Sequence, residues 1–420
     1  MSLVPLHLGA RGLALAATTL LVALGPGCGD GDESSSEEAL AASDADTGAR
    51  EGGPAGATAA RAGGGSWAGE PEPAEKLRRL LVRYRAGTRA EREKVLGELD
   101  GLDSGLARTL LEIANTPDDP LAPTALLVMG DFPSENWEIE NCLDSPKDDV
   151  RSACVACLER LGRRRAGPRM IRLLQEDESA AVREAAARAL GALHVREASG
   201  ALVETFEAEE RSLRYAAVHA LIALGEPAPV DRLISLLSDR RWYVAQAAVE
   251  ALGGLRAGAA RGAIEPLASH AVWSVRKGAF WALGELRDQK SAPLLLAKSL
   301  DATLGRFDRV EALEALRKIK ALAVGPPLVA AIPAEPDRFL RFWMARTCIF
   351  QGVEEAIPWM IECLGIEIGD PVEIDEEDMA LCRQGAGEIL AWVSGRDYGT
   401  DKARWEKWWK EVANGFQIDW

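Results

Sequence analysis

Apolar residues recur along this chain in two rhythms. The shorter one places them at +0, +4, +7, +8 and +11 from an anchor, as in Val182, Ala186, Ala189, Leu190 and Leu193, or Val275, Ala279, Ala282, Leu283 and Leu286. At about 100° per residue these positions share one arc of a helical wheel, so each stretch predicts a helix with a single core stripe. Small alanines at +4 and +7 would let a neighbouring helix approach, while leucines fill the seam. A second apolar-periodic segment lies between successive copies, for example "PRMIRLLQED" (168–177), "PVDRLISLLSD" (229–239) and "PLLLAKSL" (293–300). Each unit therefore predicts a helical hairpin.

The longer rhythm is the repeat itself. Anchors fall at Val150, Val182, Leu213, Val244 and Val275, then more faintly at Asp308 and Leu340, spaced 32, 31, 31, 31, 33 and 32 residues apart. A period this regular predicts a stack in which no unit buries its own apolar face and each needs its neighbours. Punctuation agrees: proline stands at +18 (Pro168, Pro293, Pro326, Pro358), where a first helical turn tolerates its missing N–H. Glycine at +9 or +12 (Gly162, Gly191, Gly225, Gly284) suits a helix end or a close helix contact.

The pattern "D…VR..AA.AL..L" with a proline-led first helix resembles the HEAT-like repeats of the bacterial phycobilisome-lyase type, clearly over residues 120–363 and more faintly at both ends. The resemblance implies an all-α fold, an α-solenoid of about eight helical hairpins over 76–393 whose second helices line the concave side. It implies a binding scaffold rather than one activity. The resemblance places the arginines at +1 (Arg151, Arg183, Arg214, Arg276, Arg309, Arg341; Ala245 interrupts them) beside loop carboxylates of neighbouring repeats, such as Asp148, Asp149 or Glu178. The end, "VSGRDYGTDKARWEKWWKE", puts Trp405, Trp408 and Trp409 on one helical face. It is similar to tails that close other exported HEAT-like proteins, so residues 394–420 are expected to cap the last repeat.

Charge changes the picture at the N-terminus. The net charge of −16 is uneven: residues 29–75 hold 11 acidic and 2 basic residues, against 54 and 46 over residues 76–420. No segment is basic enough for a general nucleic-acid footprint. The 29–75 stretch is rich in Gly, Ala, Ser, Asp and Glu and lacks the apolar bulk to fold, so it reads as a disordered acidic linker with a reach of about 40 Å. Before it, Arg11 precedes the apolar run Leu13 to Leu24, suited to the core of an export leader. The following "LGPGCGD" resembles the lipobox of bacterial lipoproteins, with Gly25 and Pro26 departing from the preferred residues. Residues 1–28 are read as a signal segment and Cys28 as a lipidation site, which implies an extracytoplasmic, membrane-anchored protein of the cell envelope. Cleavage without lipidation and an uncleaved anchor are the alternatives.

Candidate chemistry is sparse. The chain has four histidines, none in the His-Glu pairs of iron-binding HEAT-like hydroxylases. Cys154 and Cys157 form a lone C-x-x-C on the core stripe, and a Cys348–Cys363 bridge within one hairpin is conceivable. No nucleotide, hydrolase, zinc or EF-hand motif is present, and the acidic insert around 370–378 lacks calcium-loop spacing. We therefore expect no catalytic residues, no metal site, no cofactor and no enzyme. The expected role is recruitment of a protein partner through the concave face; a lyase or chaperone-like protein holding a cofactor in the groove, and a purely structural envelope component, are the alternatives. The face opposite the core stripe, at −2, +2 and +6, carries Tyr215, His219, Trp242, Trp273, Lys277, Trp281, Phe342 and Arg346, whereas earlier copies place Asp148, Ser152, Glu184 and Arg188 there. Large rings on a solvent face mark an interaction surface, so these eight residues are the candidate site; packing of the rings on adjacent helices or loops, above all for Trp242 and Trp273, is the alternative.

Overall fold

The computed structural model describes residues 72–100, 106–116, 118–131, 139–225, 229–366 and 376–418. The leader with Cys28, the linker up to residue 71 and most of the acidic insert lie outside the described residues. Pro71–Trp420 forms one compact unit, and within its described residues there are helices and no strand. The first helix, α1, is Glu72–Ala86, so it takes in the last four residues of the expected linker.

Four helices lead in: α1, α2 (Arg89–Asp100), α3 (Leu106–Asn115) and α4 (Ala122–Asp131). A 3-10 turn, Ile139–Asp144, precedes α5 (Asp148–Arg160). First and second helices then alternate: α6 (Gly167–Glu176) and α7 (Ala180–Ala192), α8 (Ser199–Glu204) and α9 (Arg211–Leu224), α10 (Val230–Leu236) and α11 (Trp242–Gly254). They continue as α12 (Arg261–Ile264) and α13 (Trp273–Leu286), α14 (Ala292–Leu300) and α15 (Arg306–Ile319), α16 (Gly325–Ala331) and α17 (Arg338–Ile349), α18 (Ile357–Cys363) and α19 (Glu376–Ser394). The last helix is α20 (Lys402–Val412). Each second helix packs on the next, α5 on α7 through to α17 on α19, and also on the first helix of its own hairpin. The result is an α-solenoid.

The reason for the small residues is visible in the contacts. The +4 and +7 alanines of α7, α9, α11, α13 and α15 are all at most 3% exposed. A Cβ placed on Gly191 would come 2.6 Å from the Ala220 Cα, and one on Gly253 would come 2.8 Å from the Ala282 Cα. Glycine at +9 thus faces alanine at +7 of the following repeat, and the two backbones meet where any side chain would part them. At +12, Gly225 has φ of 66° and ends α9 in the region glycine alone enters freely. Pro168, Pro293, Pro326 and Pro358 all occupy the first turn of a first helix.

The arginine ladder is structural and pairs with carboxylates of the neighbouring repeat, though not with the particular residues Asp148 or Asp149. Arg151 pairs through Nε and Nη2 with Asp177 at 2.7 and 2.8 Å, not with Asp148 or Asp149. Arg183 reaches Glu210 at 2.8 Å, Arg276 meets Asp308 twice at 2.8 Å, and Arg309 pairs with Glu335. Each also donates to backbone carbonyls at the end of its own first helix, as Arg151 to Ser145 at 2.9 Å and Arg276 to His270 at 2.9 Å. The carboxylate comes from the next repeat because the +1 side chain leans forward along the stack. Arg214 finds no acid there and lies 4.3 Å from the centre of the Tyr243 ring instead.

Cysteine pairing also departs from expectation. Cys154 is bonded to Cys142 of the preceding 3-10 turn, while Cys157, Cys348, Cys363 and Cys382 are free and buried. No Cys348–Cys363 bridge forms. Burial pushes the Cys157, Cys348 and Cys363 thiols up to about 12, so they behave as small apolar groups.

At the far end α20 packs on α18. Trp405 and Trp408 are 0% and 3% exposed, and the Trp405 Nε1 donates to the Gly399 carbonyl at 2.9 Å. That carbonyl stands where a Cβ on Gly387 of α19 would come within 2.5 Å, so the loop before α20 lies directly on α19. The chain end returns to the preceding repeat, where the Ile418 N–H donates to Glu354 at 3.3 Å. Two large rings are thereby withdrawn from water at the open end of the stack.

Candidate binding face of the second helices

The face of α9, α11 and α13 turned away from the core holds six of the eight predicted residues. Tyr215 is 52% exposed, Trp242 and Trp273 each 44%. Tyr215 is the fifth residue of α9, Trp242 and Trp273 are the first residues of α11 and α13, and these helices are consecutive neighbours, so the rings recur along the stack. His219 is exposed with its ring centre 4.1 Å from that of Tyr215. Lys277 lies with its Nζ 5.2 Å above the Trp273 ring centre and 3.6 Å from Glu311.

Trp281 is half-buried. Its ring edge rests on Gly253, where a Cβ would be 2.7 Å away, and the Lys318 Nζ lies 5.7 Å over its centre. The adjacent Phe280 is fully buried. Two aromatics in sequence thus divide their work, one in the core and one across the joint between repeats.

Phe342 and Arg346 are not on an open face. Phe342 is 0% exposed and packs edge-on against Trp343, their ring centres 5.6 Å apart. Arg346 is 7% exposed, paired with Glu314, and lies 4.8 Å from the Trp343 ring centre and 5.5 Å from that of Phe350. The physical reason is that α17 carries Trp343 at +3, where the other second helices carry alanine, glycine or glutamate, and the long α19 packs beside it. Phe350 in turn stacks on Trp392 of α19 at 5.2 Å. Burial lowers the Arg346 guanidinium to about 10.

Carboxylates complete the face, and the apolar pattern had not singled them out. Burial raises the carboxyls of both Glu250 and Glu311 above the usual range. For Glu285 burial acts in the same sense, but the hydrogen bond from Lys318 at 2.8 Å and the nearby Arg256 outweigh it and leave the carboxyl lowered. On a wheel these residues look like an ordinary solvated face; only the neighbouring helices make them half-buried. Toward the N-terminus the same face carries small and charged residues in place of rings. Leu126, Leu127, Ala153 and Ala156, with Asp148 and Arg160, line a groove of about 710 Å³ between α4 and α5, and Leu127 is 57% exposed.

Among the described residues no group of three or more His, Cys, Asp or Glu is placed to hold a metal ion, and no described helix is long and apolar enough to cross a membrane.

The chain is similar in fold to Kap121p bound to Pho4p, with 14% identity, a TM-score of 0.53, and coverage of 82% of this chain and 44% of that one. It is likewise similar to importin beta, with 12% identity, a TM-score of 0.55, and coverage of 76% and 51%. The chain thus spans about half the length of these solved relatives, and the likeness is one of fold alone. No curated protein matches it in sequence. The HEAT-repeat family model matches residues 138–222, 176–253 and 230–317 in three overlapping stretches. The repeats that begin at the 3-10 turn before α5 and run to the end of α15 are therefore HEAT repeats.

Proposed function

We propose that this chain is an exported, lipid-anchored scaffold that holds a protein partner on the open face of its second helices. The observation that carries the reading is the succession of exposed rings, Tyr215, Trp242 and Trp273, on three adjacent helices. Rings of this size are costly to leave in water and supply much of the energy of protein interfaces. The helices beneath them are packed backbone to backbone, so little ordering entropy is lost when they engage. Kap121p, a solenoid of like fold, is itself described in complex with Pho4p, which supports a partner-holding role at the level of the fold.

Export and anchoring rest on the leader and Cys28. The Cys142–Cys154 disulfide supports them, because such bonds persist in oxidising compartments. Cys28→Ser should move the chain from the membrane to the soluble fraction, and an intact Met1–Arg11 segment in the mature chain would refute lipidation at Cys28.

The test of the binding face is capture from envelope extract by the full chain and by a Tyr215→Ala, Trp242→Ala, Trp273→Ala variant. The expected result is a set of proteins retained by the first and lost by the second, with the same helical circular dichroism. Capture of the same proteins by both chains would remove the reading.

A further inference from the structure

The acidic side chains of the open face between α7 and α15 are nearly all matched to cations. Glu184 has Arg188 at 3.8 Å, Glu285 has Lys318 at 2.8 Å and Arg256 at 3.4 Å, and Glu311 has Lys277 at 3.6 Å. Glu314 is shared by Arg317 at 3.0 Å and Arg346. Glu250 is different. Its carboxylate accepts from the Gln246 side-chain amide at 2.8 Å, and among the described residues no cation stands within salt-bridge distance of it.

Its position is central. Glu250 stands at +6 of α11, the register held by His219 on α9 and Trp281 on α13, and the three helices pack side by side. Its side chain lies against α13, where a Cβ on Gly278 would come 4.0 Å from the Glu250 Cγ. Burial pushes the carboxyl up, and the charges of His219, Arg211 and Lys277 only partly offset this from a distance. A half-buried carboxylate that has lost hydration and gained no counter-charge is unfavourable alone and gains most from a cation brought to it.

Resting on the open face as the partner surface, we propose that Glu250, on the helix between those of Tyr215 and Trp273, receives a lysine or arginine side chain from an extended basic segment of the partner. Charge complementarity supports this occupant at Glu250 itself, whose carboxylate accepts only from the neutral Gln246 amide while the other carboxylates of the face are already paired. Geometry adds a pattern. Packed helices stand about 8–10 Å apart, and an extended chain advances about 3.3 Å per residue. A cation seated at Glu250 would therefore place the residues three before and three after it opposite α9 and α13.

The experiment uses the full chain and three fluorescein-labelled Gly-Ser peptides of equal length, with arginine, glutamine or glutamate at every third position. Fluorescence anisotropy is read at physiological salt. The arginine peptide is expected to bind best, and Glu250→Gln should weaken it roughly tenfold, as loss of one member of a desolvated charge pair does. Glu197→Gln, an equal charge change at an exposed turn residue, should leave binding as it was, and circular dichroism should show both variants folded. Equal effects of the two substitutions, equal binding of the glutamine peptide, or no binding of the arginine peptide at millimolar concentration would each overturn the proposal. If the peptides bind in a way lost in Tyr215→Ala, Trp273→Ala but indifferent to Glu250→Gln, the basic occupant is wrong and the binding face stands. If binding responds to neither, both readings fall.

Discussion

The Arg276 guanidinium and the Asp308 carboxylate meet in two hydrogen bonds of 2.8 Å, and their residues are 32 apart in sequence. Arg276 also donates to the carbonyls of His270 and Ala271 at 2.9 and 2.8 Å. One side chain therefore ties the end of one first helix to the start of the second helix of the next repeat. The Asp308 side chain is 3% exposed and that of Arg276 17%. Arg276→Ala would leave a buried carboxylate without its partner, and we expect a loss on the order of 3 kcal/mol. Chemical denaturation of the single variant and of Arg276→Ala with Asp308→Ala checks this: the double variant should recover part of the loss, and an additive result would count against a coupled pair.

The Arg151–Asp177 pair gives a pH dependence. Burial acts to raise the Asp177 carboxyl, but the Arg151 hydrogen bond and the Ser179 N–H prevail and hold it below its ordinary value. A carboxyl lowered in the folded state contributes stability that is fully present above its unfolded value of about 3.9 and is lost as pH falls through the lower folded value. Below about pH 4 the wild-type chain should thus lose stability more steeply than Asp177→Asn, whose own stability is lower throughout. Parallel melting curves on the acid side would show that the pair does not titrate as described.

Gly191 should not tolerate even alanine. The added Cβ would stand 2.6 Å from the Ala220 backbone and 2.8 Å from its methyl group, so α7 and α9 would have to separate. Overpacking of this kind costs about 1–3 kcal/mol. Gly200→Ala, where nothing lies within 4 Å, is the control, and similar thermal melts for the two variants would sink the argument.

The cap should be a stability element. Trp405 is fully buried and its indole N–H is satisfied by Gly399. Trp405→Ala is expected to cost about 3–5 kcal/mol, while Trp392→Ala, at a ring that is 37% exposed, should cost less. Differential scanning calorimetry of the two variants decides it, and an unchanged melt for Trp405→Ala would remove the capping role.

The disulfide closes a loop between Cys142 and Cys154, 12 residues apart. Cys142→Ser, or reduction of the wild-type chain, should destabilise the N-terminal repeats by roughly 2–4 kcal/mol. Hydrogen exchange across α5 reads the effect where it arises; protection there that is indifferent to reductant would speak against it.

Much of this protein is written locally. The repeat period, the hairpins, the first-turn prolines and the core stripe all follow from a 3.6-residue helix that must bury one arc of its surface. A stripe of alanines at +4 and +7 and glycines at +9 could be read as close packing before any neighbour was known, because only small residues permit it. The outward direction of Tyr215, Trp242 and Trp273 was legible for the same reason. Phe342 and Arg346 show where that reasoning stops. A wheel sorts side chains by their angle about one axis and says nothing of what stands at that angle, and beside α17 it is α15 and α19 rather than water. The Asp177 partner of Arg151, the Cys142–Cys154 bond, the seat of Trp281 on Gly253 and the lack, among the described residues, of a cation within salt-bridge distance of Glu250 are of that second kind. Each depends on a distance between residues 12 or more apart in sequence, or on another helix, and those distances exist only once the repeats have stacked.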